Sequence, residues 1–246
     1  MYVPEMRQRE ADAWLEFIAD AEDERSLRAR IFQTVFEYTL EDVQGVCDLF
    51  SDADATAGFA FLGADVADHE ESIAHVAESP HEVVYHGHRH GRFGELDYET
   101  AHEEIATGID AIDGVTGEPG RGIYVPNLSA SEGTLRAAAD LGLNYLVGQP
   151  AAAAPEGLTV LELTDPYTAT GTLEGGATPE ETFEELRDSV ADGKTYVFHP
   201  PHLENYDAMD EFEAFVRDVQ PVSPAEQLDE GGVGVVLDCT RPLKLL

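Results

Sequence analysis

Short apolar runs alternate with amphipathic stretches along most of this chain. Seven runs rich in β-branched and aromatic residues predict buried strands, at residues 57–62, 82–86, 122–125, 144–147, 158–163, 195–198 and 234–238. Most of these runs are separated by stretches with helical periodicity, which favours a parallel sheet covered on both faces. For a chain of 246 residues, this number of strands predicts a closed or nearly closed β/α barrel rather than an open doubly wound sheet.

The predicted helices begin at capping signals. Side chains that can cap a helix N-terminus precede helical stretches at Thr39, at Asp97, within residues 129–132 and at Thr178. Residues 4–50 also have helical periodicity, which adds a helical N-terminal extension (1–36) to the barrel. No linker, repeat or low-complexity segment interrupts the chain, so we expect a single domain over residues 1–246.

Histidines are concentrated at the end of the second predicted strand. The strand 82–86 leads directly into His86, His88 and His90, and the glycines that follow the first and last of these let the backbone turn tightly. His86 and His90, four residues apart, are placed to converge on one metal ion, with His88 pointing elsewhere. The alternative is a solvated loop that contains histidines by chance, which this concentration at a strand end disfavours.

The charge balance is strongly acidic. Fifty Asp and Glu residues stand against 14 Lys and Arg, a formal net charge of -36, while 43% of the residues are apolar. Periodic apolar segments persist throughout, so the acidity does not indicate a disordered chain. A surface of this charge needs screening by concentrated counterions, as in a cytoplasmic protein of a salt-accumulating halophile. It disfavours nucleic acid and anionic membranes as partners.

The low cysteine content and the lack of a recognisable targeting segment also favour the cytoplasm. Cys47 and Cys239 are too few for a structural disulfide framework. No N-terminal stretch combines basic residues, an apolar run and a cleavage site, and no apolar run approaches the length of a membrane span. We therefore expect a soluble, cytoplasmic protein.

The histidine segment Val84–His90 is one of five segments that share an order and spacing with a known family. The others are residues 57–63, 103–122, 134–143 and 196–199. Together they resemble the polysaccharide deacetylases of carbohydrate esterase family four, with Val84–His90 similar to that family's His-x-x-x-His metal motif. The resemblance covers residues 40–205. It implies a distorted, TIM-like (β/α)7 barrel and metal-dependent hydrolysis of N-acetyl groups on amino sugars.

The same resemblance implies further roles and exposes departures. His199 corresponds to the histidine that ends a late strand of the family and serves as the catalytic acid. The family opens with a strand ending in two aspartates, a base and a metal ligand, where this chain has Glu37 and Tyr38. Glu37 is thus the candidate base. The family's Arg-x-Pro-Tyr segment appears as residues 124–127, Tyr-Val-Pro-Asn, and lacks the arginine that orients the base.

A strand late in the chain offers a replacement for the missing metal-binding aspartate. Residues 234–238 form a predicted strand that ends in Asp238. If this strand filled the vacant place in the barrel, Asp238 would complete a His-His-Asp metal site with His86 and His90. The alternative is that Asp238 caps or turns the chain, a common role of aspartate at a strand end.

Two imidazoles and a carboxylate leave a divalent ion with open positions for water and substrate. Zinc is the ion we expect, with cobalt, nickel or manganese as alternatives. Such an ion lowers the pKa of bound water toward ~7 and polarises an amide carbonyl. A carboxylate base would take the proton of the water, and His199 would protonate the leaving amine.

The sequence leaves three functions open. The first is a metal-dependent deacetylase-like hydrolase acting on an N-acylated sugar or a related amide, with a carbohydrate or small molecule as its substrate. The second is a catalytically inactive barrel of the same lineage that binds a carbohydrate or a partner protein. The missing aspartates and arginine favour this second function, and the retained histidines oppose it. The third, a hydrolase redirected to a non-sugar amide, shares the site of the first.

Overall fold

A computed structural model describes residues 38–163 and 165–240, together with Ala19 and Leu27. Its strands are β1 (Gly58–Phe61), β2 (Glu82–Tyr85), β3 (Gly122–Ala130), β4 (Tyr145–Pro150), β5 (Thr159–Glu162), β6 (Thr195–Phe198) and β7 (Gly234–Asp238). Its main helices are α1 (Leu40–Asp52), α2 (Val66–Ala77), α3 (Tyr98–Thr116), α4 (Glu132–Asp140), α5 (Thr170–Glu174), α6 (Pro179–Asp188), α7 (Pro200–Asn205), α8 (Met209–Val219) and α9 (Pro224–Glu230). All seven predicted strands are present. The helical prediction for residues 4–36 and the candidate base Glu37 lie outside the described residues.

The seven strands form one parallel sheet that nearly closes on itself. Their spatial order is β5-β4-β3-β2-β1-β7-β6. After β5, Leu163 pairs with Thr195 of β6, and the N–H of Val197 donates to the carbonyl of Tyr167 at 2.9 Å. This segment links the two outer strands, so the sheet becomes a nearly closed barrel. The predicted distorted (β/α)7 barrel is confirmed.

Strand β7 lies inside the sheet although it comes last in sequence. It pairs with β1, where Ala60 is opposite Asp238, and with β6, where Phe198 is opposite Leu237. All five of its residues are buried. The strand therefore lies between β1 and β6, and Asp238 stands at the carboxyl ends of the neighbouring strands.

Apolar side chains pack on both sides of the sheet. The barrel interior is filled mainly by inward residues of alternate strand positions, among them Ala60, Val84, Tyr124, Tyr145, Val147, Val197 and Val236. The larger outer layer lies between the sheet and the helices and includes Phe50, Phe59, Phe61, Phe183, Phe198, Phe212 and Phe215. Because both faces of most strands are buried, these strands appear in the sequence as continuous apolar runs instead of alternating ones. Strand β5 is different, with Thr159 and Glu162 exposed.

The helices begin at the predicted caps. Thr39 and Thr178 each form a reciprocal capping box with the acidic residue three positions later, and Asp97 caps α3. Within residues 129–132, Ser131 is the residue that caps α4, because its hydroxyl accepts from the N–H of Thr134. Among the described helices, none is long and apolar enough to span a membrane.

Candidate metal centre

Four polar side chains meet at the carboxyl ends of strands β2, β7 and β6, with β1 lying between β2 and β7. His86 and His90 follow β2, Asp238 ends β7 and His199 follows β6. Parallel strands deliver their carboxyl ends to one mouth of the barrel, so residues far apart in the sequence become neighbours there. His86 and Asp238 are essentially inaccessible to solvent, at 0% and 5% exposure.

His86, His90 and Asp238 offer one ligand atom each within 4.8 Å of one another. Two donors bound to one zinc ion at ~2.0–2.1 Å can be at most about 4.2 Å apart, so the observed spacing is close to that of a metal site. The structure thus brings together the three residues that the sequence singled out as ligands. His88 lies elsewhere, with its Nδ1 beside Gly63, as predicted.

The loop that carries the two histidines is held by main-chain hydrogen bonds. The N–H groups of Gly63 and Ala64 donate to the carbonyls of Gly87 and His88, both at 2.9 Å. On the other side, the N–H of Arg89 donates to Oε2 of the buried Glu104 at 3.1 Å. These contacts fix the path of the loop between the two candidate ligands.

Tyr124 determines which nitrogen of His86 faces the centre. Nδ1 of His86 lies 2.6 Å from the carbonyl oxygen of Tyr124, and a carbonyl can only accept, so Nδ1 carries the proton. The Tyr124 ring also stacks on the imidazole, with centroids 4.6 Å apart and planes 20° from parallel. In the neutral imidazole, Nε2 therefore carries no proton and its lone pair is free. It is buried, makes no hydrogen bond and lies 3.6 Å from Oδ2 of Asp238. This donor set fits a metal ion.

The charges of the centre favour metal binding at neutral pH. Burial lowers the pKa of His86, an effect that the Asp238 carboxylate opposes. Burial also lowers the pKa of His90, to about 3. For Asp238, burial opposes ionisation, but His86 and His199 hold the pKa of its carboxyl below the usual range. The centre thus combines neutral imidazoles with an ionised carboxylate, the protonation states that a metal ion requires.

His199 borders this group on its open side. Its Nε2 lies 3.3 Å from Oδ2 of Asp238, and its side chain is 23% exposed. Its Nδ1 is buried without a hydrogen bond. Since it is the most exposed of the four polar side chains, it stands where a substrate would reach the centre.

Two residues of the centre were missed in the sequence. Tyr124 was noted only as the residue in the place of the family's arginine, and its contacts with His86 were not foreseen. Thr240 donates two hydrogen bonds to Oδ1 of Asp238. A Thr two positions after an Asp is a spacing at which local hydrogen bonds are common, and this was the available signal.

Comparisons with known proteins match part of the sequence to a family model and the fold to solved structures. Residues 32–146 match the family model described as Polysaccharide deacetylase. No curated protein matches the chain.

Three solved structures illustrate the likeness of the fold. A CE4 family pseudoenzyme from Bacillus anthracis has a TM-score of 0.61 at 14% identity, over 81% of this chain and 66% of its own, so this chain spans slightly less than two thirds of it. A protein from Mycobacterium smegmatis, provisionally named a polysaccharide deacetylase, has a TM-score of 0.63 at 19% identity, over 85% and 80% of the two chains. A family 4 acetyl xylan esterase from Clostridium thermocellum, in complex with a cobalt ion, has a TM-score of 0.52 at 17% identity, over 82% and 85%. These likenesses establish the fold and include both an esterase and a pseudoenzyme.

Proposed function

From the match of residues 32–146 to the polysaccharide deacetylase family model, we propose that this protein is a metal-dependent deacetylase-like hydrolase. It would remove an N-acetyl or related acyl group from an amino sugar or a related amide. The observation that carries the proposal is the convergence of His86, His90 and Asp238 at the mouth of the barrel. Within the part of the chain that the structure describes, these residues are the one such group of potential ligands.

The chain's own residues define what kind of ion the centre would hold. Two imidazoles and one carboxylate suit zinc first, and also cobalt, nickel or manganese. When bound, such an ion supplies a Lewis acid and a water of lowered pKa. The protein contributes Nε2 of His86, an imidazole nitrogen of His90 and Oδ2 of Asp238, held in place by the loop and strand contacts described above.

His199 is the proposed general acid. Its position beside Asp238 and its partial exposure allow a proton on Nε2 to pass to the amine nitrogen as the C–N bond breaks. Glu37 is the candidate base through the family resemblance alone. Among the described residues, Asp238 is the one carboxylate that acts on His86 and His90.

That single carboxylate is the observation that favours a second function. The family's base and metal ligand are separate aspartates, and Tyr124 stands in the place of the arginine that orients the base. A barrel that keeps the ligands and lacks the base would bind a metal ion and a carbohydrate without cleaving it.

Metal content is the first measurement that tests the proposal. We expect about one divalent ion per chain in protein purified in molar salt without chelator, by elemental analysis. The double variant His86→Ala, His90→Ala should lose it, because both ligands are removed. The matched control His75→Ala, His102→Ala removes two histidines away from the centre and should keep the ion. Negligible metal in the wild type, persisting after metal is added, would refute the proposal.

Acetate release then separates the two functions. Metal-loaded wild type is incubated with N-acetylated amino sugars and simple N-acyl amides, and free acetate is measured. The hydrolase releases acetate, and His199→Ala abolishes the release while keeping the metal. A metal-loaded wild type that releases none from any of these compounds, yet binds an acetylated oligosaccharide, would identify the inactive barrel.

A further inference from the structure

The two carboxylate oxygens of Asp238 have different partners. Oδ1 accepts the N–H of Thr240 at 3.0 Å and its hydroxyl at 2.6 Å. Oδ2 lies 3.6 Å from Nε2 of His86 and 3.3 Å from Nε2 of His199. The terminal torsion of aspartate is broad and roughly two-fold. The residue itself therefore does not select which oxygen faces the histidines, or whether both do.

The alternation of side chains after strand β7 makes Thr240 the residue that can select it. Cys239 points to the outer layer, where it is fully buried, and its N–H donates to the carbonyl of Ala60 at 3.2 Å. The next side chain on the side of Asp238 is that of Thr240, two residues on. Its hydroxyl and N–H hold the same oxygen of the carboxylate.

We propose that Thr240 is a positioning residue of the metal site. By holding Oδ1, it makes Asp238 a one-oxygen ligand and directs Oδ2 toward an ion bound by His86 and His90. This inference rests on the proposed function. A carboxylate free to bind through both oxygens would take a second position on the ion, whereas one fixed through Oδ1 leaves that position for water or substrate. Thr240 therefore supports both the affinity of the site and its open coordination.

Cobalt binding by Thr240→Val and Thr240→Ser tests the role. The valine keeps the shape and the main-chain hydrogen bond but loses the hydroxyl, and the serine keeps the hydroxyl. Metal-free protein in molar salt is titrated with Co²⁺ against a competing chelator, and the visible cobalt spectrum is recorded. We expect Thr240→Val to bind cobalt about 10–100-fold more weakly, as for other residues that support a metal ligand. Thr240→Ser should stay close to wild type, with a normal spectrum.

Metal-free stability separates positioning from a general structural role. The melting temperatures of the metal-free proteins should be similar in wild type, Thr240→Val and Thr240→Ser. If Thr240→Val does not fold, Thr240→Ala takes its place with the same expected loss. Equal cobalt affinity in the valine variant and wild type would overturn the proposal, and so would an equal loss in the serine variant. A wild type that takes up no cobalt would overturn the metal-dependent function as well, so the two failures are distinguishable.

Discussion

The two ends of the barrel both bury polar side chains, but they pair them differently. At the amino end, a pocket of about 310 Å³ is bordered by Glu82 and Tyr85. Glu82 accepts the hydroxyl of Tyr145 at 2.8 Å and the N–H of Ala225 at 2.9 Å. At the carboxyl end, Nε2 of His86 and Nδ1 of His199 are buried without a hydrogen bond.

This difference distinguishes buried polar groups that stabilise the fold from buried polar groups that are available to bind a ligand. A buried group with complete hydrogen bonds stabilises one arrangement of the chain, and removing it leaves its partners unpaired. A buried lone pair without a partner is a cost that the fold alone does not offset. Pocket volume is therefore a poorer guide to function here than the hydrogen bonds of the buried groups, since both carboxylate oxygens of Glu82 in the amino-end pocket already accept hydrogen bonds.

The largest expected effect comes from replacing the carboxylate of the metal centre. Asp238→Asn keeps the size and one acceptor oxygen but removes the charge that faces His86. Cobalt affinity should fall by more than the ~10–100-fold expected for loss of a supporting residue, because a ligand itself is changed. The stability of the metal-free protein to urea should change little. Wild-type affinity in this variant would show that Asp238 is not a ligand.

Replacing the buried carboxylate at the amino end should lower the stability of the fold and leave cobalt affinity unchanged. Glu82→Gln replaces one of two acceptor oxygens by an NH2 group, so either Tyr145 or Ala225 loses its acceptor. We expect a loss of about 1–3 kcal/mol in the free energy of unfolding, measured by urea denaturation, with unchanged cobalt affinity. If this variant weakened cobalt binding as much as Asp238→Asn does, the functional distinction between the two ends would fail.

A smaller and pH-dependent effect is expected from His81, which borders the amino-end pocket. Its Nε2 lies 3.0 Å from the carbonyl of Cys47, and its Nδ1 is buried without a hydrogen bond. Burial lowers the pKa of His81 from 6.5. As the pH falls, the unfolded chain takes up the proton first, so the stability that neutral His81 provides is present above about pH 6.5 and lost below it.

Denaturation at pH 7.5 and pH 5 measures how much stability is lost through His81 as the pH falls. The free energy of unfolding should fall less between these two pH values in His81→Gln than in wild type, by about 1 kcal/mol for each unit by which the pKa is lowered. His75→Gln, a change in a half-buried histidine of α2, should follow wild type. Cobalt uptake should be the same in all three proteins. An equal fall in His81→Gln and wild type would contradict the assignment.

The sequence predicted the strands and the candidate ligands better than the contacts around them. Apolar runs between polar segments mark the strands because both faces of most strands are buried. His86, His90 and Asp238 could be predicted because each ends or follows a strand, and parallel strands end at one side of the barrel. The place of β7 between β1 and β6 depended on a vacancy inferred from the family resemblance, since apolar pattern alone does not order strands.

The contacts that support the buried polar groups could not be predicted from the sequence, for a different reason. The carbonyl of Tyr124 accepts from His86, and every residue has a carbonyl, so no residue type signals this bond. Glu82 begins a strand in a chain with 50 acidic residues, where one buried carboxylate does not stand out. Contacts made by main-chain groups and by common residue types depend on the folded arrangement.

The position of β7 at the end of the sequence also determines when the metal centre can form during synthesis. His86 and His90 leave the ribosome well before Asp238, and at the usual rates of translation the interval is on the order of ten seconds. During that interval β6 is made before β7, so the two histidines have no Asp238 carboxylate as a partner until the last strand of the sheet has been made. A shortened product that lacks residues 234–238 would keep both histidines and lose the centre. Metal retention would therefore report that translation has passed Asp238 and that β7 has been inserted.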